Sequence, residues 1–152
     1  VSVIDISTNM VVATVSVGSP VGVAITPDGD FAYVTNLGSN NVSVIDIGTN
    51  VVVATVPVGS GPGFVAITPD GGFAYVTNSS GANVSVIDIS TNMVVATVSV
   101  GSRPVGVAIT PDGDFAYVTN SGSANVSVID ISTNMVVATV SVEGRPYGVA
   151  IK

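Results

Sequence analysis

A repeat of about 42 residues leaves this chain little choice of fold. The stretch from Thr26 to Asn36, Thr-Pro-Asp-Gly-Asp-Phe-Ala-Tyr-Val-Thr-Asn, returns as Thr68 to Asn78 and as Thr110 to Asn120. Repeats start at Val1, Val42, Val84 and Val126, spacings of 41, 42 and 42 residues. The first 17 residues recur unchanged at Val84 to Val100 and at Val126 to Val142. The copy beginning at Val42 differs at Gly48, Val51 and Pro57. A period of this length marks a solenoid, propeller or array, in which each unit buries its apolar faces against its neighbours.

Four strands are expected per repeat. Val1 to Ile6 is rich in β-branched residues and stops at the turn cluster Ser7-Thr8-Asn9. Val11 to Val17 follows and stops at Gly18, and Val21 to Thr26 stops at Pro27-Asp28-Gly29. In that turn Pro presets φ and Gly supplies a positive one. Phe31 to Thr35 is the fourth strand. No stretch holds a 3.6-residue apolar period, so helix is not expected.

Alternation within a strand narrows the architecture. Val21, Val23 and Ile25 share one face, and Gly22, Ala24 and Thr26 share the other. A sheet with one wet face alternates apolar with polar residues. Here a bulky face is backed by a small one, which suits blades stacked face to face around a ring. Pro57 stands where the first copy has Ser16. Proline cannot donate to a ladder, so the Val-Val-Ala-Thr-Val strand belongs at a blade's outer edge.

Thr-Pro-Asp-Gly leading into Phe-Ala-Tyr-Val-Thr-Asn, then Asn-Val-Ser-Val-Ile-Asp and Val-Val-Ala-Thr-Val, resembles the YVTN family of β-propeller repeats across the whole chain. The resemblance implies an all-β fold of four-stranded antiparallel blades. Gly-Val-Ala-Ile is then innermost, followed by Phe-Ala-Tyr-Val-Thr, Val-Ser-Val-Ile-Asp and Val-Val-Ala-Thr-Val. It also implies a ring scaffold of the kind found in surface-layer and secreted proteins, without carrying an activity. In that order residues 1–152 read as a single repeat domain. Two outer strands (1–17) come first, then three whole blades near 20–58, 62–100 and 104–142, and a closing inner strand at 147–151. Fifteen strands do not close a regular ring of four-stranded blades. The chain starts within a repeat, so a mature product or an excerpt of something longer is expected.

Composition removes several function classes. The net charge is −7, with Arg103, Arg145 and Lys152 as the only basic side chains. Such a chain makes no basic patch for nucleic acid, and an anionic membrane surface repels it. No apolar run approaches the roughly 18 residues of a spanning helix. Without Cys there is no disulfide, thiolate metal site or thiol nucleophile. Without His there is no Ser-His-Asp triad and no imidazole ligand. The sparse Lys content leans towards an extracellular or cell-surface setting.

The remaining polar positions recur with the repeat. Asp28 sits in the Pro-Asp-Gly turn and reads first as a turn former. Asp28 with Asp30, and Asp112 with Asp114, are weak calcium candidates, because Ca²⁺ takes six to eight oxygens. Asp5, Asp46, Asp88 and Asp130 read as braces for the Ser-Thr-Asn or Gly-Thr-Asn turn. Identical acids in identical repeats lack the differentiated pair that hydrolysis needs. Tyr33, Tyr75 and Tyr117 are expected in blade packing, their hydroxyls seeking partners on a neighbouring blade. Asn41, Asn78, Asn83 and Asn125 each open an N-x-[ST] glycosylation motif. No catalytic residue and no cofactor is assigned. A non-catalytic scaffold is expected, partnered by itself or by other surface proteins through its unfinished terminal blades. The alternative is a ligand- or protein-binding module of a longer secreted protein, reading its partner with Leu37 to Asn40, Ser79 to Ala82 and Ser121 to Ala124.

Overall fold

The computed structural model describes residues 1–152 and contains only strands and turns. A hairpin of β1 (Ser2–Asp5) and β2 (Met10–Thr14) comes first. Blade 1 is β3 (Pro20–Ile25), β4 (Phe31–Asn36), β5 (Asn41–Asp46) and β6 (Val51–Pro57). Blade 2 is β7 (Pro62–Ile67), β8 (Phe73–Asn78), β9 (Asn83–Asp88) and β10 (Met93–Ser99). Blade 3 is β11 (Pro104–Ile109), β12 (Phe115–Asn120), β13 (Asn125–Asp130) and β14 (Met135–Ser141). Within each blade the strands pair in chain order, all antiparallel. No helix is long and apolar enough to cross a membrane.

Pro57 ends β6, which pairs with β5 alone, so the edge inferred from that proline is where it was expected. The Pro-Asp-Gly turns have their glycine at positive φ, 83° at Gly29. The expected strand over 147–151 is a correction: these residues form no strand, and the chain has fourteen. No strand of the structure pairs with this segment. It nevertheless lies beside β11, where Thr119 Oγ1 donates to the Tyr147 carbonyl at 2.9 Å.

The core lies between blades rather than within one. Tyr33, Val42 and Val44 of blade 1 pack against Val65, Ala74, Val76 and Ile87 of blade 2. Tyr75, Val84 and Val86 meet Ala116, Val118 and Ile129 in the same way. Val15 of the hairpin packs on Val34 and Ile45. Burying each such side chain contributes about 1.5–3 kcal/mol. Two long-range hydrogen bonds pin the interfaces. Tyr33 donates to Asn92 Oδ1 at 2.7 Å, and Tyr75 donates to Asn134 Oδ1 at 2.8 Å. Both acceptors lie in the outer turn of the next blade, with φ of 54° and 55°. Burial first, and then the nearby Asp88 or Asp130 carboxylate, pushes the two phenols up to about 12.

Candidate functional site

Inner strands gather side by side about the propeller axis, and their small residues let them approach. A Cβ at Gly22 would stand 2.7 Å from the Gly63 carbonyl oxygen, and one at Gly106 would stand 2.5 Å from that of Tyr147. The threonine of Phe-Ala-Tyr-Val-Thr fastens this contact. Thr35 Oγ1 accepts from Gly22 N–H at 2.8 Å and donates to the Gly63 carbonyl of the next blade. Thr77 makes the same bridge from Phe64 to Val105, and Thr119 from Gly106 to Tyr147. The β3–β4 register breaks between Pro20 and Val23, where the hydroxyl replaces a ladder partner. Sequence reasoning read this threonine only as a strand residue. Its recurrence two places after Tyr33, Tyr75 and Tyr117 was the available signal.

At one end of the axis the inner strands open into a depression of about 610 Å³. Phe64, Tyr147, Leu37 and Val21 supply its apolar wall, and Arg103 and the serine loops its polar rim. Phe64 occupies the place of Gly22 and Gly106 because the second repeat reads Gly63-Phe64 where the others read Val-Gly. The three loops singled out as variable converge here, since all join a second to a third strand. Asn40, Ala82 and Ala124 take φ of 52°, 51° and 49° in these loops. Asparagine tolerates that conformation and alanine pays for it in steric strain. Asn40 Oδ1 also accepts from Gly61 N–H at 2.8 Å, a bond alanine cannot make.

The opposite end carries the nine aspartates, while Glu143, the remaining acid, lies in the last link beside Arg145. Every aspartate lies in a first-to-second-strand turn or at the end of a third strand. Those places share one end: Phe31 pairs with Asp46, and Ile47 N–H donates to the Asp30 carbonyl. Arg103 and Arg145 precede the prolines of the inter-blade links, at the other end. The propeller is thus polarised along its axis, acidic on one end and weakly basic on the other. A linear sequence hides this until the meander is folded.

These carboxylates are already engaged. Asp28 Oδ1 accepts from Thr26 Oγ1 at 2.5 Å and from Asp30 N–H at 3.1 Å. Asp70 and Asp112 repeat the pattern with Thr68 and Thr110. Asp5 accepts from Ser7 and Thr8, Asp46 from Thr49, Asp88 from Ser90, and Asp130 from Ser132 and Thr133. The hydroxyl donors, and then the backbone ones, hold all seven carboxyls below the ordinary aspartate value of 3.8. The calcium candidates are therefore brought no closer to a cage. Asp28 and Asp30 stay in one turn, Asp112 and Asp114 in another, and Asp70 borders the hollow beside the latter pair. No three acidic side chains converge closely enough to hold a metal ion.

The glycosylation motifs fall at the corner between second and third strands. Asn41, Asn83 and Asn125 are half-buried, and their Oδ1 atoms stand 2.7–2.8 Å from the amides of Asn36, Asn78 and Asn120. Asn78 is fully buried, with its amide 2.9 Å from Ser85 Oγ. A glycan on Asn78 is incompatible with this packing.

A family model described as "Lactonase, 7-bladed beta-propeller" matches residues 20–146. Among solved structures, the chain is similar to Kuenenia stuttgartiensis hydrazine synthase, with 31% identity and a TM-score of 0.84, over 90% of this chain and 40% of that one. It is similar to a functionally unknown protein from Desulfotomaculum acetoxidans at 24% identity and a TM-score of 0.83, over 94% and 49% of the two chains. The RRP9 WD40 repeats share the fold at 16% identity, with a TM-score of 0.81 over 91% and 44%. The chain thus spans less than half the length of each. No curated protein matches it.

Proposed function

The chain belongs to the seven-bladed β-propeller lactonase family, and from that premise we propose that it serves as a non-catalytic structural propeller. Its setting is extracellular or at the cell surface, as a YVTN-type surface-layer, filament or adhesive module that joins others through its exposed blade faces. Propeller membership does not bring an activity with it, because chemistry lives in sites grafted onto the scaffold. One observation carries the reading: the Pro-Asp-Gly aspartate of each blade accepts from the same turn threonine as in the blade before. Acid–base hydrolysis needs two groups held in unlike environments, and sameness from blade to blade works against that. The apolar faces left open at Val23 and Ile25 support joining of blades.

The test is hydrolysis of a panel of aliphatic lactones by the purified chain, with and without added Ca²⁺ or Zn²⁺. The expected rate equals that of buffer. Saturable, protein-dependent turnover would overturn the structural role.

A second reading is a binding module of a longer secreted protein, favoured by the depression where Phe64 and Tyr147 face Arg103 and the three variable loops. An apolar wall with a few polar groups is the usual composition of a ligand site. Phe64→Ser separates the two readings: it should abolish recognition of a partner by this end and leave blade joining intact.

A further inference from the structure

Aspartate followed by glycine is a chemically weak point of a polypeptide. The glycine nitrogen, unhindered by a side chain, attacks the aspartyl Cγ. A five-membered succinimide closes, and one carboxyl oxygen leaves as water. Water then reopens the ring, and opening at the α-carbonyl leaves isoaspartate, with the backbone routed through the side chain. This chain holds three such pairs, Asp28-Gly29, Asp70-Gly71 and Asp112-Gly113. Its other six aspartates precede isoleucine or phenylalanine, and no asparagine precedes glycine. The three turns cannot dispense with the glycine, because Gly29, Gly71 and Gly113 take φ of 83°, 74° and 80°.

All three pairs sit in the first-to-second-strand turn, and there both reacting groups are tied. The glycine N–H donates to the carbonyl of Thr26, Thr68 or Thr110 at 2.8–2.9 Å. The hydroxyl of the same threonine donates to aspartate Oδ1 at 2.5 Å in each turn. The N–H of Asp30, Gly72 or Asp114 also donates to that oxygen, at 2.9–3.1 Å. The hydroxyl is itself fixed, since it accepts from Phe31, Phe73 or Phe115 N–H at 2.9–3.0 Å. One threonine thus engages the nucleophile through its carbonyl and the electrophile through its hydroxyl. The hydroxyl and then the backbone donor hold these carboxyls below 3.8. They stay ionised, and a carboxylate is a poorer electrophile than the acid.

We propose that Thr26, Thr68 and Thr110 guard the three Asp-Gly bonds, and that Asp28, Asp70 and Asp112 become sites of isoaspartate formation when a turn opens. Isomerisation moves one carbon from the side chain into the backbone. It therefore spoils the turn that joins the two inner strands of a blade. The guard is independent of what the propeller joins or binds.

Thr110 is the residue to change, since it is half-buried whereas Thr26 and Thr68 are buried. The intact chain is stored folded and, in parallel, in urea at the same neutral pH and temperature. Isoaspartate is then read peptide by peptide, by enzymatic methyl transfer and mass spectrometry. In urea all three sites should convert at a common rate. In the folded chain each should convert roughly fivefold to hundredfold more slowly, the range of two hydrogen bonds. Thr110→Val should raise conversion at Asp112 roughly twofold to tenfold, the range of one bond, and leave Asp28 and Asp70 unchanged. Thr110→Ser, which keeps the hydroxyl, should convert like the parent chain. Equal conversion in the folded chain and in urea overturns the proposal. So does a Thr110→Val chain, folded by circular dichroism, that shows no rise at Asp112 or an equal rise at all three sites. The comparison of folded chain with urea needs no substitution, and it decides the matter if Thr110→Val fails to fold.

Discussion

Replacing Tyr75 with phenylalanine removes one hydroxyl from the interface of blades 2 and 3 and leaves the packing alone. The ring site is fully buried, so the apolar contribution is unchanged. What disappears is the 2.8 Å bond to Asn134 Oδ1. Such a bond contributes about 0.5–1.5 kcal/mol net. Asn134 is half-buried at a surface turn, so water can replace the lost donor. That places the cost in the lower half of the range, about 0.5–1 kcal/mol, or a melting shift of roughly 1–4 °C for a chain of this size. Tyr117→Phe is the built-in control. It alters the same position of the same strand motif, but only Tyr33 and Tyr75 donate to a turn asparagine in the structure, and it should be neutral in the dilute chain. Thermal and urea unfolding in dilute solution, followed by circular dichroism, reads both. The pH dependence adds a second signature. The Tyr75 phenol is raised from 10.0 to about 12, so the folded chain holds that proton more tightly than the unfolded one. Its contribution is therefore whole below pH 10 and is lost as pH rises towards 12. Tyr75→Phe should flatten that alkaline decline. Equal destabilisation by Tyr75→Phe and Tyr117→Phe would refute the reasoning.

Other outcomes follow from the same geometry. Ala82→Asn should stabilise by about 0.5–1.5 kcal/mol in thermal melts, by easing a left-handed alanine and providing an acceptor for the next inter-blade link, as Asn40 does. Gly106→Ala should lower the melting temperature by several degrees because its Cβ meets the Tyr147 carbonyl at 2.5 Å, whereas Gly148→Ala, with open space, should not. The lowered aspartates stabilise the fold above their unfolded value of 3.8 and lose that effect as pH falls below it. Melting temperature should therefore hold from pH 7 to about 4.5 and fall steeply beneath; a flat profile to pH 2.5 would contradict the turn bonds. Calcium at millimolar concentration should leave the melting temperature unchanged, since Asp28 and Asp112 are spent within their own turns.

Much of the fold was legible because the repeat fixes each local choice several times over. Pro57 gave the outer edge through a single missing donor, and the large and small faces of Val21 to Thr26 gave stacking between blades. Tyr33 and Tyr75 could be expected to reach across an interface, although the asparagine that receives them could not be named. Three things depend on residues that only the closed meander brings together. The Thr35 bridge ties Gly22 to Gly63 on two neighbouring inner strands, reaching 28 positions along the chain from Thr35 itself. Axial charge polarity appears only when both kinds of aspartate turn fall on one end. Asn78 looks like any motif asparagine until its corner is buried by Asn83 and Ser85. The segment 147–151 was read as a strand from its residues alone, and a strand also needs a partner.

Particle mass by light scattering, with intact chain mass recorded on the same material, tests the structural role most directly. A 15.0 kDa chain within particles several times that mass, dispersed when residues 144–152 are removed, is the predicted result. A 15.0 kDa particle that stays monomeric at every concentration up to about 100 μM, the lower part of the μM–mM range in which exposed edges associate, would contradict it.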